Sequence, residues 1–194
     1  NAVGIDHSRN KDRPKCKCVN LNMETKSGQA AFWSMVRKNE VSYVHFAPPC
    51  GTATRAREVR RVTKKGAPAE NDPLPLRSDI FPDGLPTKSA ECPEGLQGLD
   101  LQRVNDANLL YEFTASAIVK LQELGVAWSI ENPQNSYMWN TSWFVQAATE
   151  LKETRKECIF QMCMHGGRRD KRTKLWFGGK VDFSALGVLC NKQH

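Results

Sequence analysis

Cys50 has the setting of a nucleophile. It follows Pro48-Pro49 and precedes Gly51-Thr52. Paired prolines fix the backbone and can continue neither a strand nor a helix, so the thiol is expected at a rigid turn. Arg55 and Arg57 lie close enough to favour the charged thiolate, the species that attacks. The plain alternative is a small residue buried in a turn. The second candidate is Glu131, which closes the apolar run Val126–Ile130 and opens Glu131-Asn132-Pro133. A carboxylate there is expected to lose hydration and to hold its proton more tightly. It could then bond a ring nitrogen or serve as a general acid, although an acidic residue at a strand end is often only a cap. Asp6 ends a third short apolar run, Val3–Asp6.

The elements that must position these groups alternate in type. Val3–Asp6 and Cys18–Leu21 read as short strands, Gly28–Arg37 as a helix and Val41–Ala47 as a strand stopped by the prolines. Regular spacing resumes at Val104–Leu124, where Val104, Ala107, Tyr111, Ala115, Ile118 and Leu121 repeat with helical period before Gly125. Val126–Ile130, Glu157–Met162 and Lys174–Phe177 read as further strands, and Ser142–Lys152 as a helix. This order predicts one α/β domain over residues 1–194, with a mostly parallel sheet and helices on both faces. Ligands of such sheets bind beyond the carboxyl ends of the strands, so Asp6, Cys50 and Glu131-Asn132 are expected at one crevice. A long basic, proline-rich loop interrupts the pattern at about 51–103, with Pro68, Pro73, Pro75, Pro82, Pro86 and Pro93; loops of this length are usually functional.

The charge is uneven. The chain has 194 residues, with Lys+Arg 28 against Asp+Glu 21 and a formal net charge of +7. Arg55, Arg57, Arg60, Arg61, Lys64 and Lys65 form one basic patch, and residues 151–180 hold the second, including Arg168, Arg169, Lys171 and Arg172. Two basic patches on a mildly acidic body point to a polyanion, DNA first and RNA not excluded; a solvated basic surface explains charge alone equally well. No run reaches the ~20 apolar residues of a membrane helix. Seven cysteines without framework spacing, and no secretory signal, predict reduced thiols in an intracellular compartment, nucleus or cytoplasm. Cys163, His165, Cys190 and His194 are a weak alternative as zinc ligands, because the one-residue gap between Cys163 and His165 is short for a structural site.

Ala47-Pro48-Pro49-Cys50-Gly51 and Glu131-Asn132-Pro133 resemble the Pro-Cys and Glu-Asn motifs of the cytosine-5 DNA methyltransferase family, in forms like those of phages and mobile elements. The resemblance covers most of residues 1–180 in order and implies a Rossmann-like, S-adenosylmethionine-dependent fold. It implies that Cys50 attacks carbon 6 of a flipped cytosine, that Glu131 bonds and protonates ring nitrogen 3, and that carbon 5 receives the methyl group. Asp6 would meet the cofactor ribose. Asn22, where the family has Asp, would meet the adenine amino group, and Pro48 and Asn132 would complete the cofactor side. Arg168-Arg169-Asp170-Lys171-Arg172-Thr173 is similar to the family's late basic motif, which assigns Arg168 and Arg172 to the catalytic centre and Arg169 and Lys171 to DNA. Arg55, Arg57, Arg60 and Arg61 fall in the loop that closes over DNA. The opening Asn1–Asp6 reads like the middle of a domain, which predicts a first strand and its glycines upstream, and therefore an N-terminally truncated domain. Pro133 replaces the family's Val and Gly51 its Gln, so a non-catalytic nucleic-acid-binding relative stands beside the enzyme. A thiol hydrolase would need a His–Asn pair near Cys50, which the sequence does not supply, and amino-group methylation normally needs an aromatic residue after the paired prolines.

Overall fold

The computed structural model describes residues 2–6, 16–59 and 72–191. The chain divides into two compact units, Asn1–Tyr43 and Val44–His194.

In the first unit, β1 (Val3–Asp6) and β2 (Lys17–Asn20) pair in parallel, with Asp6 opposite Asn20. The turn after β2 launches α1 (Lys26–Met35) through local bonds. The Asn22 side-chain oxygen accepts from the Glu24 amide at 3.0 Å, and the Thr25 hydroxyl caps the helix by accepting from Gly28 at 3.1 Å. Gly28 is required there, since a Cβ would lie 2.0 Å from the Asn22 carbonyl oxygen.

The second unit is built on a four-stranded sheet in the order β3-β4-β6-β5, formed by β3 (Tyr43–Phe46, which begins at the unit boundary), β4 (Ala127–Pro133), β5 (Lys156–Gln161) and β6 (Arg172–Gly178). β6 runs antiparallel to both β4 and β5. Successive residues of a strand face opposite sides, and β6 shows what each side packs against. Trp176 meets Trp139 and Phe144 on the side of α2 (Gly98–Glu123) and α3 (Ser142–Glu150), where Tyr111 also contacts Phe144. Leu175 and Phe177 form the opposite core with Cys158, Phe160, Val181, Phe183 and Leu186.

This corrects the expected Rossmann-like sheet, mostly parallel with helices on both faces. The structure has a two-stranded parallel sheet and a separate four-stranded mixed sheet. Connection length is one reason. Parallel neighbours need a crossover of a dozen or more residues, whereas β5 passes to β6 through only Met162–Lys171. β6 therefore returns antiparallel and inserts between β4 and β5. Its Leu175–Phe177 face is covered by residues 181–186, a short 3-10 turn rather than a helix. The proline-rich stretch is also more ordered than its composition suggests. Leu76, Leu96 and Val104 form a small buried cluster with Leu85 and Leu101, and α2 begins at Gly98, six residues earlier than its apolar period indicates.

Candidate functional site

Cys50 sits just beyond β3, half-buried and reduced. Side chains from distant parts of the chain hold the backbone on both sides of it. The Asn132 amide, at the end of β4, donates to the Pro48 carbonyl at 2.9 Å. The Tyr111 hydroxyl, from α2, donates to the Pro49 carbonyl at 2.7 Å. Arg57 Nε donates to the Gly51 carbonyl at 2.7 Å, and Arg77 Nη2 to the Thr52 hydroxyl at 3.2 Å. The Ala53 carbonyl accepts from the Tyr137 amide at 2.9 Å and from the Ser136 hydroxyl at 3.4 Å. The Pro48, Pro49, Gly51 and Ala53 carbonyls and the Thr52 hydroxyl are thus all engaged.

Arg77 underlies this arrangement. It is 1 % exposed. Its guanidinium also donates to the Pro82 carbonyl and the Asn108 side chain, both at 2.8 Å, and lies over the Tyr111 ring at 5.2 Å. All three hydrogen-bond acceptors are neutral oxygens, so burial lowers its proton affinity from the ordinary arginine value. Arg55 is similarly engaged. It bonds Asp79 through both terminal nitrogens, Glu58 at 3.5 Å and the Tyr137 hydroxyl at 2.9 Å, and stacks over the Tyr137 ring at 4.2 Å. Tyr137 also donates to Glu58. Burial and that bond push its phenol up to about 12, against the opposing charge of Arg55.

Glu131 lies within β4 rather than after it, opposite Leu175 of β6. Its side chain is 28 % exposed and meets Lys171 Nζ at 3.7 Å. On the neighbouring strand, His45 Nδ1 shares a 2.7 Å hydrogen bond with the Ser129 hydroxyl. Lost hydration holds this imidazole below its ordinary range, partly offset by the charge of Glu131. Asn132, adjacent to Glu131, is 1 % exposed, and its Oδ1 has no hydrogen-bond partner among the described residues.

The second unit therefore gathers Cys50, Pro48, Asn132, Arg55 and Arg57 around one turn, and joins Glu131 to Lys171. Arg168, Arg169 and Arg172 are exposed and make no side-chain hydrogen bond or ion pair among the described residues. The Gly167 amide, at the root of this segment, donates to the Met162 carbonyl at 2.9 Å. Asp6 and Asn22 belong to the first unit, where the Asn22 oxygen already accepts one bond. Arg60, Arg61 and His194 lie outside the described residues. No group of three or more metal ligands forms among the described residues. His165 instead bonds the Leu186 carbonyl through Nε2 at 3.0 Å.

Sequence reasoning missed Arg77, Asn108 and His45, for which composition and spacing carry no signal. Tyr111 was legible only as core, although a buried tyrosine generally needs a partner for its hydroxyl, and that requirement was the available clue. No helix of the described residues is long and apolar enough to cross a membrane. Neither a family model, nor a curated protein, nor a solved structure matches this chain.

Proposed function

We propose that the chain is a DNA cytosine-5 methyltransferase-like protein that uses Cys50 as its nucleophile. The observation that carries this reading is the bond from Asn132 to the Pro48 carbonyl. It links the two segments that would share the chemistry, holding the residue after Glu131 against the residue two before Cys50. In the proposed reaction the Cys50 thiolate bonds carbon 6 of an extruded cytosine. Glu131 donates to ring nitrogen 3, so that the electron pair from the broken carbon 5–carbon 6 double bond is available at carbon 5. Loss of the proton from carbon 5 and of the thiolate from carbon 6 restores the ring after methylation. Lys171 Nζ lies 3.7 Å from the Glu131 carboxylate and holds it in place.

S-adenosylmethionine would supply an electrophilic methyl group on its sulfonium. One feature fits such a cofactor: the buried, unpartnered Asn132 Oδ1 is an acceptor that a bound donor would complete. Pro48 is the other residue of this unit assigned to it; Asp6 and Asn22, which the resemblance also assigns, belong to the first unit. Arg168, Arg169 and Arg172 are the cations available to a phosphate backbone. The reduced thiols suit a reducing intracellular compartment.

A second reading, a non-catalytic nucleic-acid-binding module, rests on those exposed arginines alone. Incubation with duplex DNA and S-adenosylmethionine carrying a tritiated methyl group separates the two. Label at carbon 5 of cytosine, absent with Cys50→Ser, supports the enzyme. Duplex or RNA binding without any transferred label supports the module.

A further inference from the structure

Gln161, the last residue of edge strand β5, organises a second pair of thiols. Its amide donates to the Val188 carbonyl at 3.0 Å, and its side-chain oxygen accepts from the Cys190 amide at 2.7 Å. Residues 188–190 therefore run beside the end of β5. Cys163 lies two residues past Gln161, in the 3-10 turn Met162–His165, so both cysteines sit on backbone anchored at Gln161. The His165 bond to the Leu186 carbonyl fixes the same segment from the other side of the turn. Both cysteines are part-exposed and reduced. The backbone thus brings the two cysteines close together, where an external reagent can reach them.

We propose that Cys163 and Cys190 form a thiol–disulfide exchange site that closes to an intramolecular disulfide with a small-molecule disulfide such as glutathione disulfide. One cysteine, as thiolate, attacks a sulfur of the reagent and expels one glutathione thiolate. The second cysteine attacks the resulting mixed disulfide and expels the other. Two electrons pass from the pair to the reagent, and the two cysteine protons end on two glutathione thiols. Closure brings the sulfurs to about 2.05 Å. Only the thiolate attacks a disulfide, so closure accelerates as the pH rises.

The bridge would also bear on the basic segment. The Met162 amide donates to the Lys171 carbonyl at 3.0 Å, so the turn that carries Cys163 is tied to the residue that pairs with Glu131. Bridging would fix the root of Arg168–Lys171 to the chain's last described segment.

The test is native incubation of the full chain with glutathione disulfide at pH 7 and at pH 9, followed by alkylation and peptide mapping. The expected product has lost two hydrogens, links Cys163 to Cys190, and forms faster at the higher pH. Cys190→Ser should instead keep a glutathione adduct on Cys163. Persistent glutathione adducts on the unmutated pair, a bridge to any other cysteine, or zinc held by these two thiols in place of exchange would overturn the proposal. So would an unreacted pair in a sample whose exposed Cys16 has been modified. None of these outcomes depends on methyl transfer.

Discussion

After β3, Arg55, Arg57 and Arg77 make nine hydrogen bonds to acceptors within their own unit, the Gly51 and Leu74 carbonyls, Asp79 and the Thr52 hydroxyl among them. After β5, Arg168, Arg169 and Arg172 have no side-chain partner among the described residues. Both stretches look alike in the sequence, as arginine clusters within a basic patch. They differ in what surrounds them. The first runs among carbonyls left free by prolines and a tight turn; Arg57 and Arg77 hold the Cys50 turn, and Arg55 is taken up by Asp79, Glu58 and Tyr137. The second spans the short connection between antiparallel strands and the start of β6, where Lys171 meets Glu131 and Asp170 accepts from Gln161 while the three arginines stay exposed. Among the described residues, local charge therefore overstates the cations left unpaired near Cys50, and exposed, unpaired arginines gather at residues 168–172 instead.

The largest effect expected from this contrast follows Arg77→Met. It strands the Thr52, Pro82 and Asn108 oxygens in a buried site and should lower the unfolding free energy by about 3 kcal/mol in urea denaturation. A loss below about 1 kcal/mol would mean that the turn does not rely on this guanidinium. The double variant Arg168→Ala/Arg169→Ala should behave oppositely. Its stability should stay within about 0.5 kcal/mol of the unmutated chain. Its affinity for a short duplex should fall about tenfold, with the salt-dependence slope reduced by about 2. Arg57→Ala should leave that slope unchanged in the folded fraction; an equal drop in slope would erase the distinction between the two clusters.

Tyr111→Phe removes only the hydroxyl that holds the Pro49 carbonyl and should cost about 1 kcal/mol in the same denaturation measurement. A further expected effect is alkaline. Tyr137 has its phenol raised to about 12, above an unfolded value of about 10. The folded state keeps that proton longer than the unfolded chain does. The contribution is complete below about pH 10 and is lost as the pH climbs towards about 12. Tyr137→Phe should flatten the stability profile in that window, and phenolate absorbance should show one tyrosine titrating late in the intact chain.

How much of this was legible varied with the range of the interaction. α2 and the core of β4 stood out because each is long and apolar with its own period, so local burial decides them. Glu131-Asn132-Pro133 looked like a strand terminator yet lies inside β4, because its pairing with Leu175, Lys174 and Thr173 is supplied by β6, about forty residues away. The parallel sheet failed for a related reason: apolar runs reveal strands but not their neighbours, and the short β5–β6 connection decided the direction of β6. At the site, the types of Cys50 and Glu131 could be read directly. Their supports could not. The bonds to Thr52, Pro49 and Pro48 come from residues 25, 62 and 84 positions distant, and nothing local to Arg77, Tyr111 or Asn132 announces where their donors go.

The central claim is that this pinned turn presents Cys50 to carbon 6 of a cytosine. A duplex containing 5-fluorocytosine, incubated with the chain and S-adenosylmethionine and then digested for peptide mapping by mass, tests it most directly, because fluorine at carbon 5 cannot leave as a proton does. The expected result is a covalent adduct on the Cys50 peptide, absent with Cys50→Ser and formed much more slowly with Glu131→Gln. A duplex that binds the chain and yields no adduct, or one attached to a different cysteine, would contradict it.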